Sequence, residues 1–184
     1  MNRILIVAVL AGVAGFAAGA NTGAPQFKDG NQLVRPEGHH QWVFVGSSLG
    51  MSYRKDAGYE NAPEFHNVYI TPNAYQEFRE KGTFPDGTVM VLEIVASGGN
   101  ASINKAGKFE DKILGIEASV KDSKRFPEKW AYFGFMGEKG EALAEAKPFP
   151  KSACWSCHNP HGQVDNVFVQ FYPVLREARE KAAH

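Results

Sequence analysis

The sequence predicts an α+β domain that consists mainly of antiparallel β-sheet, with one mid-chain helix and one C-terminal helix. Two observations indicate this fold class. Short segments rich in β-branched and aromatic residues follow one another between Gly-, Pro- and Asn-containing turns, which is typical of strands. Strong helical signals are confined to two places, so strands and helices do not alternate regularly as they do in a parallel α/β fold.

The N-terminus has the pattern of a secretory signal peptide. Arg3 supplies one positive charge, residues 4–19 are apolar and small, and Ala18-Gly19-Ala20 fits the small-residue cleavage rule. The run is shorter than the roughly 20 apolar residues of a spanning helix, although an uncleaved anchor is the alternative. We expect cleavage after Ala20, a periplasmic location in a bacterium and no membrane contact afterwards.

Removing residues 1–20 from the 184-residue chain leaves 164 residues, the size of one domain. The chain has 20 basic and 20 acidic side chains, and cleavage removes Arg3 alone from these. The absence of a basic excess argues against binding to nucleic acid or anionic lipid. We expect residues 21–40 to form a mobile arm with a turn near Pro36, and residues 41–184 to form a single domain.

Hydrophobic periodicity and turn residues predict the order of the elements. A helix should begin at Pro72 after the N-cap Thr71 and end at Gly82. A second helix should cover residues 164–182, with a kink at Pro173. The predicted strands are residues 41–46, 65–70, 87–96, 112–120 and 130–136.

Both cysteines of the chain lie in one pentapeptide, Cys154-Trp155-Ser156-Cys157-His158. C-x-x-C-H is the attachment motif of a c-type haem. Each thiol adds to one vinyl group of the haem, and the adjacent histidine binds the iron. The motif therefore predicts one covalently attached haem c, with Cys154 and Cys157 as attachment residues and His158 as the axial iron ligand. Export supports this prediction because such haem is attached outside the cytoplasm.

The same cysteines allow three other interpretations. A thioredoxin-like redox pair requires a preceding strand, whereas residues 147–152 have the composition of a loop. A zinc site would combine Cys154, Cys157, His158 and His161, but adjacent Cys157 and His158 cannot easily occupy two vertices of one tetrahedron. A disulfide between the two cysteines would close a loop too small to add much stability.

Five sequence blocks resemble the cytochrome P-460 family, which includes the cytochromes c′-beta. The blocks are Trp42-Val43-Phe44-Val45-Gly46, Asn67-Val68-Tyr69, Phe84-Pro85-Asp86-Gly87-Thr88, Gly115-Ile116-Glu117-Ala118-Ser119-Val120-Lys121-Asp122-Ser123 and Phe171-Tyr172-Pro173-Val174-Leu175. The resemblance extends from Trp42 to Arg176. It implies a mostly antiparallel β fold, a homodimer and a five-coordinate haem with an open distal site. It also implies either hydroxylamine oxidation or the binding of nitric oxide or carbon monoxide.

The resemblance separates these two activities at one position. Family members that oxidise hydroxylamine carry a lysine bonded to the haem macrocycle, and Leu92 is aligned with that lysine. Residues 83–99 contain no lysine, and Lys105 and Lys108 lie in a predicted loop, where we expect solvated charges. We therefore expect a gas-binding protein. The alternative is an oxidoreductase acting on hydroxylamine or nitric oxide.

We expect the distal side of the haem to be apolar. If Leu92 contacts the haem, Met90 lies on the same face of its strand because side chains alternate with a period of two. Phe44, Phe133 and Phe135 are further candidates for the distal pocket, with ordinary core packing as the alternative for each. Such a face offers no hydrogen-bond donor to stabilise bound dioxygen, whereas nitric oxide and carbon monoxide need no such donor.

A sixth iron ligand from the protein would instead indicate a low-potential electron carrier with a redox partner protein. We expect His39 and His40 to form a polar turn. Glu93 and Glu117 interrupt apolar strands and could act as acid–base groups near the iron, but we expect both to face outward. The conceivable sixth ligands are Met51, Met90, Met136, His39, His40, His66 and His161.

Overall fold

The structure, a computed structural model, describes residues 23–52 and 62–183. Within these ranges the fold is α+β and mainly antiparallel, as predicted, with eight strands in two sheets and three α-helices. The predicted signal peptide, residues 1–20, lies outside the described residues. No helix in the described part of the chain has the length and hydropathy needed to cross a membrane.

The larger sheet contains the five predicted strands in chain order. Each observed strand begins and ends within three residues of its predicted bounds, and neighbouring strands are antiparallel. The smaller sheet has the order β1-β2-β8. The strands are β1 (Phe27–Lys28), β2 (Gln32–Val34), β3 (Val43–Leu49), β4 (Glu64–Ile70), β5 (Val89–Gly98), β6 (Phe109–Lys121), β7 (Trp130–Gly134) and β8 (Glu145–Ala146).

Strand β5 lies at the centre of the larger sheet and is buried on both faces. Val89 and Val91 pack on one face in a cluster that includes Leu33 of the small sheet. Met90 and Leu92 pack on the other face against a separate cluster. Burial on both sides explains why the sequence of this strand is almost continuously apolar.

The N-terminal segment is part of the fold from residue 23 onwards, so the expectation of a mobile arm at residues 21–40 is wrong for its described part. Phe27 pairs with Leu33 across β1 and β2, and Leu33 pairs with Ala146 of β8. Leu33 is fully buried. The polar composition of the segment did not predict these strands. A strand as short as β2 needs only one buried side chain, Leu33, to pack against the rest of the fold.

The mid-chain helix α1 (Pro72–Lys81) has the predicted bounds. Gly82 adopts the left-handed conformation, with a φ of 67°, and its N–H donates to the Phe78 carbonyl at 2.8 Å. Such a cap explains why glycine ends the helix.

The predicted helix at residues 164–182 is shorter than expected. The structure has a helix α2 (Cys154–His161), a 3₁₀ turn at Val169–Phe171 and then α3 (Pro173–Ala182). Pro173 therefore occupies the first turn of α3 and does not kink a longer helix, in agreement with the preference of proline for that position. The apolar residues between 167 and 175 recur at helical spacing even though some of them lie in the 3₁₀ turn. Their periodicity therefore predicted one continuous helix where the structure has two separate elements.

Helix α3 packs against α1 and β3 and so closes one side of the larger sheet. Leu175 is fully buried in the cluster that also contains Phe78 of α1. Beside it, Tyr172 packs directly onto Gly46 of β3, where an added Cβ would lie 3.2 Å from the tyrosine ring. Close packing at this point keeps the C-terminal segment against the sheet.

The buried position of Leu175 predicts a large loss of stability on truncation. Leu175→Ala should lower the free energy of unfolding by about 2–5 kcal/mol, because it removes buried methyl groups and leaves a cavity. Ile103→Ala is the control, since Ile103 is 92% exposed, and should change stability by no more than about 0.5 kcal/mol. Urea denaturation measures both. Equal changes in the free energy of unfolding for the two variants would show that α3 contributes little to the core.

Candidate functional site

Helix α2 presents Cys154, Cys157 and His158 together. These residues stand at positions i, i+3 and i+4 of a helix, which lie on the same face. A turn precedes the helix, with the Ala153 N–H donating to the Pro150 carbonyl at 2.9 Å. The helix ends where the Gly162 N–H donates to the His158 carbonyl at 2.8 Å. The local fold therefore groups two thiols and one imidazole on a short rigid element.

A hydrogen bond to the backbone fixes the imidazole of His158. Its Nδ1 lies 2.9 Å from the Asn166 carbonyl oxygen. A carbonyl can only accept, so Nδ1 carries the proton and Nε2 keeps a free lone pair. Burial lowers the pKa of His158, partly opposed by that hydrogen bond. The ring is thus held in the neutral form that can bind a metal ion through Nε2.

Two aromatic rings flank the same imidazole. The ring centroids of Tyr132 and Phe168 lie 4.5 and 4.4 Å from that of His158. Tyr132 belongs to β7, whereas Phe168 follows α2 in the chain. His158 is therefore held between the sheet and the C-terminal segment as well as by its hydrogen bond.

His158 borders a cavity with about 700 Å³ of empty space, which includes space open to solvent. The walls come from one face of the larger sheet, from α2 and from the segment before α3. The lining residues are Ser48, Met51, His66, Val68, Met90, Leu92, Glu117, Ala118, Ser119, Tyr132, His158, Asn166, Val167, Phe168 and Tyr172. The cavity thus combines apolar and polar side chains of three parts of the fold and has an imidazole at its wall.

These donors fit a haem better than the three other interpretations. Burial, with the nearby Glu117 carboxyl, raises the pKa of Cys154 to about 11, whereas redox-active thiols of C-x-x-C pairs have lowered pKa values. Both cysteines are free, so they form no disulfide. Within the described residues, no three of Cys154, Cys157, His158 and His161 bring their donor atoms within 4.8 Å of one another, as a zinc site would require.

The structure separates the five predicted pocket residues into two groups. Met90 and Leu92 line the cavity that contains His158. Phe133 and Phe135 are buried in the cluster on the opposite face of the sheet. Phe44 is 47% exposed and contacts Tyr69 with ring centroids 5.5 Å apart. The expectation that these three phenylalanines line the pocket is therefore corrected.

Strand register explains the error. Phe44 pairs with Tyr69, and Tyr69 pairs with Val91. Val91 pairs with Ala118, and Ala118 pairs with Phe133. These five residues form one row of paired residues, a ladder, that crosses all five strands. Paired residues point to the same face of a sheet. Since Val91 and Met90 point to opposite faces, Phe44 and Phe133 must lie opposite the cavity.

The neighbouring ladder contains cavity residues that the sequence reasoning missed. Met90 pairs with Ser119, and Ser119 with Tyr132. Tyr132 precedes Phe133 and points to the other face of β7, so a correct register would have identified it. Asn166 could not have been found in this way, because it contributes a backbone carbonyl from an irregular turn.

The cavity is polar in part, which corrects the expectation of an apolar distal face. Ser48, His66, Ser119 and Tyr132 line it together with Glu117. Glu117 does not face outward as expected, and burial raises its pKa. The cavity therefore offers hydrogen-bond donors and one carboxyl group to whatever occupies it.

The conceivable sixth ligands are also divided between the two faces of the sheet. Met51, Met90 and His66 line the cavity, and burial lowers the pKa of His66. Met136 is 40% exposed and does not line it. His39, expected in a polar turn, is buried beside Glu93 on the opposite side, and Glu93 is buried too.

Glu117 gives the protein a predictable pH dependence. A carboxyl whose pKa is raised by folding binds more protons in the native state, so the free energy of unfolding falls as pH rises through that raised pKa. Glu117→Gln, which stays neutral, should therefore become progressively more stable than the wild type as the pH rises above the range in which an exposed glutamate titrates. Urea denaturation at several pH values measures the difference. Glu138→Gln, at an exposed position, is the control, and identical pH profiles for Glu117→Gln and the wild type would contradict the burial of a titrating Glu117.

Comparison with known proteins agrees with this geometry. The family model described as Cytochrome P460 matches residues 36–169, which include every strand of the larger sheet, helix α2 and the carbonyl partner of His158. No curated protein matches the chain significantly. The match covers most of the chain, and the thiols, the imidazole and the adjoining cavity suit the cofactor of that family. The chain therefore belongs to the cytochrome P460 family and is a haem-binding cytochrome.

Proposed function

We propose that this chain is a periplasmic mono-haem c-type cytochrome that binds a small neutral gas, nitric oxide or carbon monoxide. The observation that carries the proposal is the position of Leu92. Its side chain lines the cavity beside which His158 lies, at the position where the family resemblance implies a lysine in the hydroxylamine-oxidising enzymes.

Three residues of α2 would hold the haem. The thiols of Cys154 and Cys157 would each add across a vinyl group, forming a thioether and a new C–H bond. His158 would bind the iron through Nε2, since its Nδ1–H is used by Asn166. A five-coordinate haem iron supplies one open coordination position at which a diatomic gas can bind.

Leu92 would leave the macrocycle without a further covalent bond. A leucine side chain has no nucleophilic atom. Among the described residues, no lysine lines the cavity. Lys105 and Lys108 are exposed in the loop between β5 and β6 and do not reach it. The described lining of the cavity therefore offers no lysine of the kind that the family's enzymes use to modify the haem.

Polar groups in the cavity bear on how a gas would be held. His66 and Tyr132 carry N–H or O–H groups and line the same space as Leu92. Burial raises the pKa of Tyr132 well above its usual value, so its phenol stays protonated. A neutral phenol can donate to a bound ligand without adding charge to the cavity.

Two alternatives rest on specific residues of the same cavity. Glu117 could accept or supply protons in hydroxylamine oxidation, because a half-buried carboxyl with a raised pKa suits an acid–base role. Met51, Met90 or His66 could instead provide a sixth iron ligand and make the protein a low-potential electron carrier. Both alternatives predict spectra that differ from those of a five-coordinate haem.

The proposal includes an exported homodimer and a redox partner protein. The apolar N-terminal run supports export. Phe44 and Leu49, both 47% exposed, lie on the edge strand β3 and supply apolar surface for a second copy of the chain. The homodimer is also what the family resemblance implies.

Covalent attachment predicts that haem stays on the denatured chain. Wild-type protein, produced with its export sequence, should retain haem stain after denaturing electrophoresis, because thioether bonds survive denaturation. The double variant Cys154→Ser/Cys157→Ser should lose the stain completely. Ser156→Ala, between the two cysteines, is the matched control and should retain it. Stain lost from the wild type, or kept by the double variant, would refute attachment at these thiols.

The coordination state gives the test of function. Absorption spectra of the purified ferrous protein should show a high-spin, five-coordinate haem, and they should shift on addition of carbon monoxide because the sixth position is free. Replacement of Met51, Met90 and His66 by Leu, Leu and Gln should leave the spin state unchanged. A low-spin ferrous haem that ignores carbon monoxide indicates an electron carrier. A red-shifted spectrum with hydroxylamine turnover indicates the enzyme.

A further inference from the structure

A second group of metal-ligating side chains lies on the face of the sheet opposite the cavity. His39 and His40 belong to a 3₁₀ turn at His39–Gln41 that precedes β3, and Glu93 belongs to β5. The Nε2 atoms of both histidines lie 2.8 Å from the same carboxylate oxygen, Oε1 of Glu93. All three donor atoms lie within 4.8 Å of one another. Two imidazoles and one carboxylate therefore converge on one point.

The spacing of these atoms is close to that of a tetrahedral metal site. Zinc binds nitrogen and oxygen ligands at about 2.0–2.2 Å, which places neighbouring ligand atoms about 3.3 Å apart. The observed separations of 2.8 Å need to increase by only about half an ångström. His40 can make this movement because its side chain is 62% exposed.

Burial makes this cluster unlike a surface charge pair. Glu93 and His39 are almost completely buried, whereas His40 reaches solvent. Buried carboxylates are normally paired with cations or bound to metals, because an isolated charge is strongly destabilising inside a protein. The open side at His40 would admit an ion and leave one coordination position to water.

Tyr69 supports the cluster from the next strand. Its ring packs against those of His39 and His40, with centroids 5.5 and 5.8 Å apart, and its hydroxyl donates a hydrogen bond to Glu93. A hydrogen bond of this kind orients a ligating carboxylate at metal sites.

We propose that His39, His40 and Glu93 form a metal site, separate from the haem cavity, that binds one divalent transition-metal ion such as Zn²⁺. Two imidazole nitrogens favour a transition metal over Mg²⁺ or Ca²⁺, which prefer oxygen ligands. With three protein ligands, a fourth position remains for water or another small ligand. Nothing in the haem assignment involves these residues.

Zinc binding by the untagged haem-loaded cytochrome tests this proposal. After equilibrium dialysis against Zn²⁺ and removal of excess ion, elemental analysis should give one zinc per haem iron. His40→Ala and Glu93→Gln should each weaken binding at least about 100-fold, since loss of an outer-shell partner alone costs 10–100-fold. If Glu93→Gln fails to fold, the affinity of His40→Ala decides the test. His40 is largely exposed, so its replacement should leave the fold intact.

Two variants serve as controls. Glu64→Gln removes a carboxylate that lies 3.9 Å from His66 in the same sheet, and His161→Ala removes an exposed imidazole. Both should bind zinc as the wild type does, and Mg²⁺ at the same concentration should not compete. Less than about one tenth of a zinc per iron in the wild type, or equal affinity in His40→Ala, would show that the cluster is a hydrogen-bonded network without a metal.

Discussion

The hydrogen bond between His158 Nδ1 and the Asn166 carbonyl is the interaction on which the site depends, because it leaves Nε2 as the only ring nitrogen free to bind iron. That carbonyl is held in turn by its own surroundings. Asp165 and Asn166 both adopt left-handed conformations, with φ of 48° and 65°, and Asp165 pairs with Lys121 of β6. Lys121 Nζ also donates to the Phe84 carbonyl at 2.6 Å. The orientation of one imidazole thus rests on a strained turn tied to the central sheet.

The two faces of the larger sheet carry two separate groups of polar side chains. Residues of even number on β5, Met90 and Leu92, face the cavity beside His158, whereas the odd-numbered Glu93 faces His39 and His40. A shift of register by one residue would exchange these faces, so strand pairing specifies both sites at once. The buried apolar side chains on either side of β5 therefore do more than stabilise the fold. By fixing the strand register, they also determine that Glu117 faces the cavity and that Glu93 faces His39.

Much of this organisation can be read from the sequence, and the exceptions have physical causes. The C-x-x-C-H motif and the strand pattern are local signals, and so are the Thr71-Pro72 start and the Gly82 end of α1. The prediction of Phe133 as a pocket residue was wrong, and Tyr132 lines the cavity instead. Which side chains of β7 face the cavity depends on the pairing of β7 with β6, and the sequence of β7 alone does not specify that pairing. Glu93 and Glu117 were expected outside because lone carboxylates usually are. Glu93 contacts His39, and Glu117 lines a cavity whose other walls come from distant parts of the sequence.

The central claim is that Cys154 and Cys157 alone bond the haem, with Leu92 as an unmodified wall of its cavity. Mass spectrometry of the haem-containing peptides after proteolysis of the wild-type protein tests this most directly. We expect one haem peptide containing residues 154–158, with a mass equal to that of the peptide plus haem. Every lysine-containing peptide should be recovered without haem. A haem peptide joined to a second, lysine-containing segment would contradict the account and restore the hydroxylamine-oxidising alternative.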